Sequence, residues 1–159
     1  MALKPQRSYI DDSIAYFMFE TGEPGGIVCA HTGFNSVGQG MDDSNRRVVY
    51  AADPSGKAPI GVLMSTVVNI DQSRQQLNRY KPLETQIGGK VLIYKKGTVV
   101  TNMIVDGQAS GINFPADAYV GLSGMLYTDA GYAGSGWPVV GKFLTGVDSD
   151  GYAELDVRL

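Results

Sequence analysis

The stretch Ile60-Gly61-Val62-Leu63-Met64-Ser65-Thr66-Val67-Val68-Asn69-Ile70 is apolar and rich in β-branched residues, the composition of a strand buried on a pleated surface. A polar connection over residues 71–86 follows it. Then Gly88-Gly89-Lys90 leads into Val91-Leu92-Ile93-Tyr94, Lys95-Lys96-Gly97 and Thr98-Val99-Val100-Thr101. Two β-rich runs separated by three residues ending in Gly predict a hairpin, with Gly97 at a left-handed bulge position where a Cβ would clash. Ser65 has no nucleophile-elbow context. The best-defined segment of the chain therefore reads as scaffold, and that weighs against an enzyme.

Outward from this block, the C-terminal end carries the cleanest period. Residues 139–144 read as a strand and Asp148-Ser149-Asp150-Gly151 as a turn. Residues 153–159 alternate strictly, with Leu155, Val157 and Leu159 on one face and Glu154, Asp156 and Arg158 on the other, as in a strand with one buried face. On the N-terminal side, residues 27–30 and 47–52 read as strands, with a turn at Asp53-Pro54-Ser55-Gly56. Asp11 or Asp12 could cap a short helix. The aromatic run Tyr16-Phe17-Met18-Phe19 favours a strand instead. Residues 113–117 read as a bend, 118–122 as a short strand, and 104–105 and 125–128 as further candidates. About ten short strands at turn spacing predict an all-β fold, a compact β-barrel or sandwich of short strands with an extended N-terminal arm. The arm is residues 1–8, held extended by Pro5, and residues 9–159 form a single β domain.

Composition agrees. Gly supplies 21 of 159 residues, about twice the average usage of roughly 7%, which suits many tight turns. A net charge of −3 gives no global attraction to nucleic acid, so none is expected as a partner. The single Cys excludes an internal disulfide and fits synthesis in a reducing cytoplasm. Residues 1–7 are polar and basic with no apolar region after them, so no signal peptide is expected. No run approaches the 18 or so apolar residues of a membrane span, so no membrane is expected either.

Candidate chemistry is sparse. Cys29 and His31 form a lone C-x-H, and zinc requires about four ligands. As a nucleophile pair they lack an orienting motif, and Cys29 between Val28 and Ala30 reads as a small hydrophobe. Asp148-Ser149-Asp150 resembles the start of a calcium loop, but Gly151 opens a strand where the loop would continue. The glycines at 33, 38 and 40 make no phosphate cradle, since no G-K-[ST] follows. No catalytic residue, metal or cofactor is expected. A locally basic segment with Arg74, Arg79, Tyr80 and Lys81 reads as a solvated loop or as a contact with an acidic partner.

The phrases Gly61-Val62-Leu63, Val68-Asn69-Ile70-Asp71, Leu77-Asn78-Arg79, Gly89-Lys90-Val91, Lys96-Gly97-Thr98-Val99-Val100-Thr101 and the terminal Val140-Gly141-Lys142 with Asp150-Gly151-Tyr152 through Leu159 resemble capsid decoration (cement) proteins of tailed bacteriophages. The resemblance covers roughly residues 47–159 and rests on layout and short phrases. It implies a small β-barrel, often a homotrimer, that docks on the outside of an expanded capsid. There it would bridge major capsid protein subunits and resist internal DNA pressure, with no catalytic residues to carry over. The protein would be made in the host cytoplasm and end in the virion. The residues expected to meet the capsid or a second copy are Lys4, Pro5, Arg7, Tyr9, Ile10, Tyr16, Phe17, Phe19, Arg74, Arg79 and Tyr80, because aromatic and Arg anchors dominate interfaces and a polar arm gains order along a partner. Two other functions are consistent with a β module. One is a carbohydrate- or host-binding unit using Trp137 and the tyrosines, and the other is a trimeric β-fold hydrolase with a site shared between subunits.

Overall fold

The computed structural model describes residues 9–31, 46–69, 84–105, 107–108, 113–128 and 136–159. Among the described residues strand accounts for 53% and helix for 3%, so the class is all-β as expected. The strands are β1 (Tyr9–Met18), β2 (Ile27–Ala30), β3 (Arg47–Val49), β4 (Pro59–Leu63), β5 (Thr66–Val68), β6 (Glu84–Gln86), β7 (Lys90–Thr101), β8 (Ala116–Val120), β9 (Leu126–Tyr127), β10 (Val139–Phe143) and β11 (Ala153–Arg158). A 3-10 turn at Leu122–Gly124 separates β8 from β9.

The main sheet runs β1-β3-β2-β4-β7-β11-β10-β8-β9, and β1 also pairs with β7. That second pairing closes β1, β3, β2, β4 and β7 into a five-stranded barrel. The remaining four strands continue from β7 and fold back over the outside of β2, β4 and β7. Two cores result. Met18, Val28, Val48, Leu63, Val91 and Ile93 fill the barrel. Ile27, Val62, Tyr94 and Val99 meet Val120, Leu126, Phe143, Leu155 and Val157 in the second core. Successive residues of a strand point to opposite faces. In β2, β4 and β7 both faces are therefore buried, and the neighbours Ile27 and Val28, Val62 and Leu63, and Ile93 and Tyr94 serve different cores. This is why the opening stretch reads as continuous apolar residues instead of alternating ones. Each such side chain contributes about 1.5–3 kcal/mol by leaving water.

Strand β7 corrects the hairpin. Residues 90–101 are one strand, with β1 along one edge and with β4 and then β11 along the other. Ile10 faces Gly97, Asp12 faces Lys96 and Ser13 faces Tyr94, so Asp11 on β1 and Lys95 on β7 are each an extra residue, two bulges that together restore the pairing register. The bulge at Lys95 reverses the parity of β7. Before it, Val91 and Ile93 enter the barrel core; beyond it, Val99 lies in the second core with Tyr94. Gly97 does take a left-handed conformation, φ +136°, but within the strand and not at its reversal. Long-range pairing on both edges outweighs the local turn signal.

Smaller corrections follow the same logic. Residues 60–69 do not form one strand: β4 ends at Leu63, and β5 pairs with β6 in a separate two-stranded parallel sheet, which also draws 84–86 out of the expected polar connection. The strand expected over 47–52 is confined to Arg47–Val49, because Tyr50 turns into a pocket of glycines. Ala116 and Asp117 belong to β8, not to a bend, and β9 is two residues long. β2 has the expected bounds. β11 shows the expected alternation, with Ala153, Leu155 and Val157 buried. The arm of residues 1–8 lies outside the described residues.

Tyr50 ties the two halves together. A Cβ on Gly22, Gly26 or Gly124 would come within 2.6, 2.9 or 2.3 Å of its ring. Its hydroxyl donates to the Glu23 carbonyl, and its backbone N–H donates to Glu20 Oε1. Burial pushes the Glu20 carboxyl up, and the N–H bond from Tyr50 draws it partway back.

Candidate functional site

The residues expected at an interface fall into three groups. Lys4, Pro5, Arg7, Arg74, Arg79 and Tyr80 lie outside the described residues. Tyr9 and Ile10 begin β1, opposite Thr98 and Gly97. Tyr16 is half-buried against the barrel core, on the face shared with Ile14 and Met18. Phe17, one residue on, lies on the opposite, outer face opposite Lys90. Phe19 stacks on His31 with ring centroids 4.5 Å apart and planes at 20°.

Cys29 and Asp148 are taken up in structure, whereas the buried Nε2 of His31 has no hydrogen-bond partner. Cys29 is fully buried, and burial pushes its thiol up to about 11, with Lys57 pulling weakly the other way. His31 is held below its ordinary range by desolvation first, then by Lys57 and Arg47. Asp148 Oδ1 accepts the N–H groups of Asp150 (3.0 Å) and Tyr152 (2.8 Å), which fixes the β10–β11 turn and leaves Gly151 at φ +83°. Among the described residues, no group of three or more His, Cys, Asp and Glu could hold a metal ion.

Two surface features emerge that no motif announces. The first is the outer face of β10, β8 and β9. Val139 lies directly opposite Tyr119, and Tyr119 directly opposite Tyr127. Trp137 meets Tyr127 edge-on, centroids 4.9 Å apart at 64°. Gly121 makes room for both rings: a Cβ there would sit 2.0 Å from Tyr127 and 2.7 Å from Trp137. Val139 and Leu122 remain 49% and 48% exposed, far more than their core neighbours. Lys142 and Asp117 form an exposed ion pair, 3.7 Å apart, two residues along β8 from Tyr119.

Neither family models nor curated proteins match this chain.

The second feature is an open cleft of about 330 Å³ between the segment that follows β7 and the β10–β11 turn. Asn102, Ile104, Val105 and Gln108 line one side, Val147 and Asp150 the other. Gln108 Oε1 accepts both the N–H and the hydroxyl of Thr128, at 3.1 and 3.0 Å, and so anchors its wall to the end of β9. The only sequence signals for these features were the lone Trp137 and the Asp-Gly turn. Their partners are dispersed along the chain and converge only once the strand order is known.

Proposed function

We propose that this chain is a structural virion protein that decorates a phage capsid from outside, as a homotrimer bridging major capsid protein subunits. The observation that carries the reading is where the family-like phrases fall. They make up most of β4, β7, β10 and β11, the strands that hold the barrel to the outer sheet. A likeness in these strands is a likeness of frame. Further support comes from Cys29 and Asp148, the first buried in the core and the second holding the β10–β11 turn. Exposed apolar side chains on outer walls and turns, Leu92, Leu122, Val139, Leu144 and Val147, supply contact area of the kind interfaces use.

The test is direct. Purified protein is incubated with empty, expanded capsids, sedimented, and the capsids are heated. The expected result is co-sedimentation and a higher opening temperature. If the protein stays in the supernatant at saturating concentration, the decoration reading is abandoned.

The aromatic face favours a second reading, a carbohydrate-binding module. Pyranose rings stack on aromatic faces; Tyr119 and Trp137 are half-buried and Tyr127 buried, and the exposed Asp117–Lys142 pair offers partners for hydroxyl groups. Trp137 is the sole tryptophan, so selectively excited tryptophan fluorescence reports on this face alone. A saturable change on titration with oligosaccharides, removed by Tyr119→Ala, would support it. A flat titration across a glycan panel would remove it.

A further inference from the structure

We propose that the stacked pair of His31 and Phe19 is an acid-sensitive clasp. With the ring neutral it holds the end of β2 to the segment that leaves β1, and protonation of the ring releases both. The inference does not depend on the capsid reading. It starts from one atom: His31 Nε2 is buried and meets no hydrogen-bond partner. A neutral imidazole tolerates this, because one of its nitrogens is a bare acceptor. The imidazolium carries a proton on both nitrogens, so Nε2 would become a buried, charged donor without an acceptor. The stack spans β3, which lies between β1 and β2 in the sheet. On one side of β3 the Phe19 N–H donates to the Val48 carbonyl at 3.1 Å, and on the other the His31 N–H donates to the Arg47 carbonyl at 2.9 Å. Loss of the stack is therefore felt at two named amides.

The surroundings disfavour a positive ring. Arg47 opens β3, with Arg46 before it. Lys57 comes from the turn before β4, where the Ala58 carbonyl accepts the Ala30 N–H at 2.9 Å. Lys57 and Arg47 both act on the ring as like charges, and together with desolvation they hold it below its ordinary 6.5. The titratable groups on the elements packed here are engaged or neutral. Glu20, next to Phe19, accepts the Tyr50 N–H. Asp53, in the turn that carries Lys57, accepts the Ser55 N–H. Cys29, two residues back along β2, is a buried thiol pushed up to about 11 and so uncharged in acid. The face of Phe19 attracts a cation, and this one contact opposes release.

The test is a pH titration of the full-length chain by nuclear magnetic resonance. His31 is the sole histidine, so its ring resonances report on this site alone. They should titrate below 6.5. Amide hydrogen exchange, corrected for its intrinsic pH dependence, reads the release. From pH 6.5 to pH 5 the open form gains protons over the closed one, so protection at Phe19 and His31 should fall about ten-fold, with a ceiling of about thirty-fold. Protection at Leu155 and Val157, in the other core, should hold. His31→Phe keeps an aromatic stack without the proton site, and should retain the Phe19 protection at pH 5. Lys57→Gln should raise the ring's midpoint and shrink the fall. A ring that titrates at or above 6.5 would overturn the proposal. So would unchanged protection at both amides in the wild type, an equal loss at Leu155 and Val157, or an equal acid loss in His31→Phe.

Discussion

Two glycines show how the same left-handed conformation carries different consequences. A Cβ on Gly124, at φ +75°, would run into Tyr50 and the Ile27 carbonyl, whereas a Cβ on Gly151, at φ +83°, would meet nothing within 4 Å. Gly151→Ala should therefore cost only backbone strain, about 1–2 kcal/mol, and Gly124→Ala that strain plus about 1–3 kcal/mol of overpacking. Urea denaturation of the two variants checks this, and equal midpoints would show that the Tyr50 pocket yields easily. Cys29 gives a pH signature. Its thiol is raised from an ordinary 9.0 to about 11, so above pH 9 the unfolded chain ionises first and gains on the folded one. Its contribution is complete below pH 9 and is lost as pH rises toward 11, by up to about 2–3 kcal/mol. Tyr50, also raised by burial, adds to the alkaline loss. Cys29→Ala should cost about 1 kcal/mol at neutral pH and flatten the fall between pH 9 and 11. An unchanged alkaline slope in stability curves would mean that the thiol is not the titrating group.

At the scale of the element, β7 is where local signals and the fold part company. The run Lys95-Lys96-Gly97 has the residues of a hairpin turn, yet the strand passes straight through it with Lys95 as a bulge. Substituting Lys95 by Ala keeps the extra residue and should shift the melting temperature by no more than a few degrees. Deleting Lys95 should abolish folding, because a one-residue slip turns Val99 out of its core. Circular dichroism melts of the two variants test this; a cooperative melt from the deletion would mean that the bulge is dispensable. Strand β11 is the opposite case. Its alternation was plain in the sequence because one face is buried and the other wet, and removing residues 155–159 should give insoluble or unfolded protein through loss of Leu155 and Val157. A truncated chain with an unchanged melting temperature would refute its place in the core. The same contrast explains what was legible. The class, β2 and β11 could be read, because adjacent residues carry those signals. The break after β4, the β5–β6 pairing and the continuity of β7 could not, since each is decided by partners distant in the chain. The aromatic face and the cleft were hidden for that reason too: the cleft joins residues 102–108 to residues 147–151, and no spacing rule connects them.

For the whole molecule, the position of the first and last strands is decisive. Both lie against β7, on opposite edges and antiparallel to it, with Tyr9 opposite Thr98 and Arg158 opposite Lys96. The start of β1 and the end of β11 are thus about 10 Å apart, two strand spacings. A circular permutant joining Leu159 to Tyr9 through about six Gly and Ser residues, and opened at the exposed turn between Ser55 and Gly56, should fold with the wild-type far-ultraviolet spectrum. Failure of the permutant to melt cooperatively would show that one of these ends must be free. The same arrangement has a mechanical meaning. Tension that draws the two ends apart along the strand axis slides β1 one way and β11 the other past a stationary β7. Eight registered pairs resist on one edge and six on the other, and both ladders are loaded in shear, so their bonds must rupture together instead of peeling one by one. Pulled from its two ends, such a chain is a tensile link whose strength resides in a single strand.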